Sequence, residues 1–431
     1  MKWLILILML SIFSIANCQQ SNSEWTLKNC IDTALLNNAK VRMSEINSNK
    51  AQITLKTSNL SFLPSLNGGA SHGYNFGQTI DPFTNTFANT RVQYNNFYLN
   101  SSVTLFKGLQ NHYQKRIAEV DCKSNLYNLE IDRRNLSIEV TIAYLRAKLN
   151  SEIVEVAKNQ TELTKVQKQR TQDLIEAERI TNSDLLKINA QLAKDDYNLV
   201  QATNNWRSSL LILQQLIGIK HDTSFTLTDI DEYNLENHAN QMSVENEISK
   251  LAIEKQLLES KHTKSQLSPS LVLNGSLGSG YSENNKYIDP SGEFIPKPFR
   301  SQLNENFYQS VSATLSIPIF NGYRTGSQIK INELELQRIK VEAEQSLSER
   351  DNKVKQYRMD VINARSLHES SKTFYESSKL EFENSKVKYD IGIINFSTLM
   401  ESKDFLFKAK SEMIQSKYQL EFAEVILSFF E

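Results

Sequence analysis

The chain has 431 residues, with 48 Lys and Arg against 49 Asp and Glu and a net charge of -1 at pH 7. That balance leaves no electrostatic footprint for nucleic acid, and a mean hydropathy of -0.43 excludes a bundle of transmembrane helices. Past the first residues no apolar run reaches the roughly 18 residues a spanning helix needs, but a β-barrel, whose strands turn only half their residues to lipid, remains open to so polar a chain.

The chain begins as a targeting segment. Lys2 supplies a positive start, and Trp3 to Phe13 is an apolar run of about 11 residues, the length of a signal-peptide core. Two processing routes meet at Ile15-Ala16-Asn17-Cys18. Ala16 and Cys18 are small residues placed for ordinary cleavage after position 18. Alternatively Cys18 is the lipidated residue of a lipoprotein, although Asn17 stands where such sites carry Gly, Ala or Ser. Either route takes the protein out of the cytoplasm. Of the other cysteines, Cys30 and Cys122 flank the first strand segment. Helical rise sets them roughly 30 Å apart, too far for a disulfide, so both are expected as free structural thiols.

Glycine and proline divide the rest of the chain. All 7 prolines, and every one of the 13 glycines except Gly218 and Gly392, lie between Pro64 and Gly108 or between Pro269 and Gly326. Both residue types break helices, so strands and loops belong in those windows and long helices outside them. The two windows carry one signature twice, roughly 210 residues apart. Leu63-Pro64-Ser65-Leu66 recurs as Ser268-Pro269-Ser270-Leu271, Asn96-Phe97-Tyr98 as Asn306-Phe307-Tyr308, and Phe106-Lys107-Gly108 as Phe320-Asn321-Gly322. The expected organisation is a signal peptide (1–18), a first repeat (24–217) with its strand pair at about 65–106, a linker (218–240), and a second repeat (241–431) with its strand pair at about 270–320.

Within each window the residues alternate with period two. Phe97, Leu99, Val103 and Leu105 oppose Tyr98, Asn100, Ser102 and Thr104. Val311, Ala313, Leu315, Ile317 and Ile319 oppose Ser310, Ser312, Thr314 and Ser316. Soluble half-buried sheets and transmembrane barrels both alternate this way. The export signal and the uncharged Ser, Thr and Asn of the polar side favour the barrel. The expected lipid-facing set is Phe97, Leu99, Val103, Leu105, Val311, Leu315 and Ile317. Polar loops are expected at 77–95 and 282–305.

From Gln110 to about Ala177 the chain can run as one helix near 100 Å long. Two apolar rows, Leu136, Val140, Ala143, Ala147 and Ile138, Ile142, Leu145, Leu149, give it two lateral neighbours, as in a ring of helices. A broad single face in an ordinary bundle is the alternative. Tyr389-Asp390-Ile391-Gly392-Ile393-Ile394-Asn395-Phe396-Ser397-Thr398-Leu399 reads as a hairpin turn. Gly392 closes one helix with φ > 0 and Asn395 or Ser397 caps the next. In the first copy Ile180-Thr181-Asn182-Ser183-Asp184-Leu185-Leu186 aligns with it, with Arg179 in place of the glycine and Asn182 or Ser183 as the cap.

The duplicated strand pairs and long helices, the Leu-Pro-Ser-Leu lead-in and the Phe-x-Gly exit together resemble the TolC-type outer membrane efflux family, over about residues 24–431. Ile317-Pro318-Ile319-Phe320-Asn321-Gly322 is close to that family's exit motif; the first copy departs from it at Thr104, where the motif has proline. The resemblance implies an α+β membrane protein. Long α-helical hairpins would form a periplasmic α-barrel, and two β-strand pairs per chain would contribute to a trimeric 12-stranded transmembrane β-barrel. Strand counting agrees: four strands cannot close a barrel, and lipid tolerates no open edge. Eight strands would leave a lumen nearly filled by side chains, and twelve would leave a pore.

The implied function is the exit duct of a tripartite efflux or type I secretion system, a passive conduit gated at the periplasmic helix tips. Its partners would be two further copies of the chain, a periplasmic adaptor of the membrane-fusion type, an inner-membrane RND or ABC transporter, and outer membrane lipid; no cofactor and no nucleic acid are expected. Arg179, Ile180, Asn182, Ser183, Asp184, Gly392, Ile393, Asn395 and Ser397 are the candidate docking tip. In related channels acidic residues narrow this end; the usual position is Thr398 here, so Glu401 and Asp184 are the remaining acidic candidates. No nucleophile motif, phosphate loop or metal spacing stands out, and the carboxylates alternate with Lys and Arg as solvated helix faces do. The chain therefore reads as no enzyme. A membrane-fusion adaptor would need lipoyl-like β domains, which are not evident; a purely structural coiled-coil protein is the other alternative.

Overall fold

The computed structural model describes residues 24–81, 83–88, 91–177, 182–220, 225–228 and 244–430. The signal segment, Cys18, Arg179, Ile180 and most of the 218–240 linker lie outside them. In chain order the elements are β1 (Glu24–Trp25), α1 (Leu27–Asn37), α2 (Ala39–Leu60), β2 (Ser65–Asn75), β3 (Thr79–Ile80), β4 (Phe87–Ala88), β5 (Val92–Lys107), α3 (Gln110–Glu176), α4 (Asn182–Ile217), β6 (Thr226–Leu227), α5 (Val244–Ser265), β7 (Ser270–Ser282), β8 (Lys286–Ile288), β9 (Phe294–Pro296), α6 (Phe299–Glu305), β10 (Tyr308–Ser316), α7 (Arg324–Asp390) and α8 (Phe396–Ser428).

The repeat is kept at the level of backbone. Helices α3 and α7 each have 67 residues, about 100 Å at 1.5 Å per residue. Each follows its Phe-x-Gly signature through two consecutive left-handed residues, Gly108 (φ 57°) and Leu109 (φ 64°) in one copy, Gly322 (φ 68°) and Tyr323 (φ 60°) in the other. The paired left-handed turns swing the extended chain into the helix. Leu109 and Tyr323 carry a Cβ that this conformation penalises by about 1–2 kcal/mol each.

Clustered by contacts, the chain forms two compact units, and each takes segments from both copies of the repeat. One comprises Met1–Ile46, Tyr127–Glu247 and Glu344–Glu431 and, in its described part, is helical apart from the short β1–β6 pair. Here α3 buries two sides, as its two apolar rows require. Leu136, Val140, Ala143 and Tyr144 pack with Leu27, Cys30, Ile31 and Ala34 of α1 and with Leu213 and Ile217 of α4. Leu145 and Val156 pack with Ile414 and Tyr418 of α8. The Tyr144 hydroxyl is satisfied by the carbonyls of Thr228 (2.8 Å) and Trp25 (3.1 Å), beside the parallel β1–β6 pair. Cys30 and Cys122 are free and buried, and burial pushes the Cys30 thiol up to about 12.

The second unit comprises Asn47–Leu126 and Ile248–Ala343. Its centre is one antiparallel sheet of order β10-β7-β5-β2. The two strand pairs meet through β5 and β7, and β10 and β2 are the edges. The segments expected as polar loops carry structure of their own. Strand β5 already starts at Val92, β3–β4 and β8–β9 are short hairpins, and α6 lies within the second connection. Asp81, fully buried, accepts the N–H groups of Phe83 (2.9 Å) and Thr84 (3.0 Å) and the hydroxyl of Ser282. Buried Gln302 accepts from the Ser282 N–H (2.9 Å) and donates to the Ser282 (3.0 Å) and Lys297 (2.9 Å) carbonyls. These side chains replace the ladder partners that a connecting segment lacks.

Candidate channel wall and hairpin tips

Residues directly opposite in an antiparallel ladder share a face, so the register sorts the sheet. On one face Leu66 and Ala70 of β2 meet Ser101 and Phe97 of β5; Leu99 and Val103 of β5 meet Leu277 and Leu273 of β7; and Leu271, Leu273 and Gly275 meet Leu315, Ala313 and Val311 of β10. The structure thus brings Phe97, Leu99, Val103, Val311 and Leu315 together on one surface. Two of the expected residues fall elsewhere. Leu105 sits in a bulge between Thr104 and Phe106, and Phe106 is the residue paired with Leu271. A bulge inserts one residue and restarts the alternation, which period-two counting cannot see. Ile317 lies beyond the end of β10 at Ser316, one residue before Pro318, whose missing N–H cannot join a ladder. At the opposite end of the same face, Phe299 of α6 packs edge-on against Phe97, with ring centroids 6.1 Å apart, and against Tyr281 at 5.5 Å.

The other face carries no acidic residue in its ladder rows. One row reads Asn67, Asn100, Ser276, Ser310; the next reads Ser65, Ser102, Asn274, Ser312. The Ser276 hydroxyl donates to the Asn100 amide oxygen at 2.9 Å, and the Ser65 and Ser102 hydroxyls are 3.1 Å apart. Small neutral hydrogen-bonding groups give a wettable wall with no fixed negative charge.

The second hairpin tip closes as its residues imply. Gly392 has φ 80°; its N–H reaches the Tyr389 carbonyl (3.0 Å) and that of Ile393 the Lys388 carbonyl (2.8 Å), the paired bonds of a Schellman cap. Asn395 caps α8, accepting the Thr398 N–H at 3.0 Å and its hydroxyl at 3.1 Å. Ser397 lies inside α8 and has no part in the cap. In the first tip Asn182 and Ser183 lie in the first turn of α4, and the residues before them are outside the described ones. The structure joins the two tips: Ile188 of α4 is buried with Phe396, Leu399 and Met400 of α8, and Leu185, Tyr389 and Ile394 pack around them. Arg170 near the end of α3 pairs with Asp390 at the end of α7 (2.8 Å). Asp184 pairs with Lys187 (3.3 Å). Burial, and after it the Asp184 charge, pushes the Tyr389 phenol above its usual range. Gly392, Ile393, Asn395, Thr398 and Glu401 are exposed.

One cluster on these helices went unread in the sequence. Lys403 of α8 and Asp195 of α4 are fully buried and paired at 3.0 Å. The Lys403 ammonium also reaches Thr164 of α3 (2.6 Å), and Gln160 and Gln191 donate to Asp195 (2.8 and 3.0 Å). Three helices are thereby tied at one level. The signal was available: Ile188, Asp195, Ala202 and Ser209 are all buried at heptad spacing on α4, so Asp195 occupies a seam position rather than a solvated face.

Among the described residues no group of three His, Cys, Asp or Glu could hold a metal ion, and no helix is long and apolar enough to cross a membrane. No protein of curated function matches the sequence. Several solved structures match the fold. CusC, described by its transmembrane channel formation, superimposes with a TM-score of 0.78 at 14% identity over 96% of this chain and 94% of that one. The Campylobacter jejuni CmeC outer membrane channel gives 0.74 at 17% over 95% and 85%, and the Vibrio cholerae outer membrane protein VceC gives 0.75 at 12% over 94% of each. Residues 30–219 match the sequence profile of the family described as outer membrane efflux protein. With the duplicated signature, the strand pairs and the paired long helices, that match makes the chain similar, over its first repeat, to the outer membrane efflux protein family.

Proposed function

We propose that the chain is one subunit of an outer membrane exit duct, in which three copies close a single β-barrel that continues into a periplasmic tube of helices. The observation that carries this reading is the four-stranded sheet with two free edges, one apolar face and one neutral polar face. In lipid an open edge leaves backbone groups unsatisfied at several kcal/mol each, so β10 of one copy must pair with β2 of the next. Three copies of four strands leave a water-filled lumen. Phe97, Leu99, Val103, Val311 and Leu315 then face lipid, with Leu105 at the bulge, and the Asn, Ser and Thr rows face the lumen.

The joined tips support the second part of the reading. The two hairpin ends stand at one level, and the exposed Ile391, Ile393 and Leu186 offer apolar contact there. This end is the docking site for a periplasmic adaptor linked to an RND or ABC transporter of the inner membrane, in tripartite efflux or type I secretion. Closure resides at the same end, with Glu401 and Asp184 as the acidic side chains available to narrow it and Thr398 at the position where related channels carry an acid. The duct itself is passive. Native mass spectrometry of the detergent-extracted protein is the test: a trimer is expected, and a stable monomer inserted in membrane would sink the reading.

A further inference from the structure

One row of the polar face differs from those below it. Gly69 of β2, Tyr98 of β5, Gly278 of β7 and Tyr308 of β10 are consecutive ladder partners, so glycine and tyrosine alternate across the whole sheet. Each ring lies over the glycine beside it. A Cβ added to Gly69 would stand 2.8 Å from Cε1 of Tyr98, and one added to Gly278 would stand 2.5 Å from Cζ of Tyr308. The arrangement repeats higher in the sheet, where a Cβ on Gly73 would come 2.7 Å from the hydroxyl of Tyr94. None of these three glycines has a left-handed φ. Their backbone would accept a side chain; the space is what is reserved.

We propose that Gly69 and Gly278 set the open width of the lumen by letting Tyr98 and Tyr308 lie flat along its wall. This rests on the duct reading, in which the polar face lines the lumen. A tyrosine standing upright from a strand projects its ring several ångströms into the passage; laid over a glycine it adds one ring thickness and turns its free π-face to passing solutes. Tyr98 and Tyr308 are 40% and 47% exposed, so the outer ring faces are open. The row therefore acts on the size of solute that passes, and three chains would bring six such rings.

The test fills the space. In Gly69→Val with Gly278→Val the nearest atoms that must give way belong to the flexible ends of the tyrosine rings, so assembly should persist while both rings are lifted. Single-channel conductance in planar bilayers should fall, and adding Tyr98→Ser with Tyr308→Ser should restore it. Tetranitromethane should nitrate Tyr98 and Tyr308 faster in the valine pair than in the parent, read by mass spectrometry; the alanine pair serves if the valine pair does not assemble. Unchanged conductance with faster nitration would mean that the rings move but do not set the width. Unchanged nitration would mean that they do not move, and either result overturns the proposal alone. A parent protein that is extracted as a stable monomer would overturn the duct reading, and this inference with it.

Discussion

Helices α3 and α7 have the same length and the same place in the repeat, yet they bury different surfaces. Helix α3 is covered on two sides by α1, α4 and α8, and of its large apolar residues only Leu126 and Val166 stand exposed. Helix α7 buries small residues at heptad spacing, Ala364, Ser371, Ser378 and Ser385, with Ser371 and Ser416 of α8 in hydroxyl contact at 2.5 Å. It leaves Ile331, Val341, Met359, Ile362, Leu380 and Val387 exposed. A duplicated element thus serves two ends: α3 holds its own chain together, and α7 presents an apolar stripe that no other described segment covers. Under the proposed trimer that stripe belongs to the neighbouring copies.

The contrast can be broken at its most buried point. Asp195→Asn strands the Lys403 charge among α3, α4 and α8, and losing one partner of a buried pair costs about 3–5 kcal/mol. A lowered urea midpoint is expected, largely recovered by joining Asp195→Leu with Lys403→Met. No loss with Asp195→Asn would mean that the three helices are not tied there. Next, Leu213→Ala in the α3 core should destabilise by about 2–5 kcal/mol, whereas Leu380→Ala on α7 should change monomer stability by no more than about 0.5 kcal/mol and weaken the trimer instead. Equal effects on the monomer would erase the distinction between the two helices.

The same logic of an outward face applies to the sheet. Leu315→Arg near mid-bilayer should cost about 2–4 kcal/mol and block assembly, while Thr314→Arg, on the opposite face, should assemble and alter conductance. Equal assembly defects would mean that the faces are misassigned. A further test lies at the end of α7. Gly392 is left-handed with open space around its Cβ position, so Gly392→Ala should cost only about 1–2 kcal/mol of backbone strain. A heat-modifiability gel should still show trimer, while an efflux assay shows loss; normal efflux would remove the case for the tip as the functional end.

Much of this was legible because glycine and proline are placed so sharply. Their absence after Leu109 announced one helix to about Ala177, and it ends at Glu176. The tip turn could be read from Gly392 and Asn395 alone. What escaped notice was whatever depends on partners distant in sequence. Charge next to charge along a helix looks solvated, so Asp195 and Lys403 passed as surface residues. A bulge at Leu105 leaves no compositional mark, and Phe299 became visible as a cover for Phe97 only once α6 folded back onto β7. In the sequence the glycines of the sheet mark only where helices stop; the register shows tyrosines lying over them.

The equality of the two long helices also constrains how such a protein can change length over evolution. Removing one heptad from α3 alone would draw its end back by about 10 Å. That would separate Ile188 from Phe396 and Arg170 from Asp390. A shorter or longer tube is therefore reachable only by equal insertions or deletions in both halves of the gene, in steps that preserve the heptad seam. Lineages that span a deeper or shallower periplasm should carry their length changes as matched pairs.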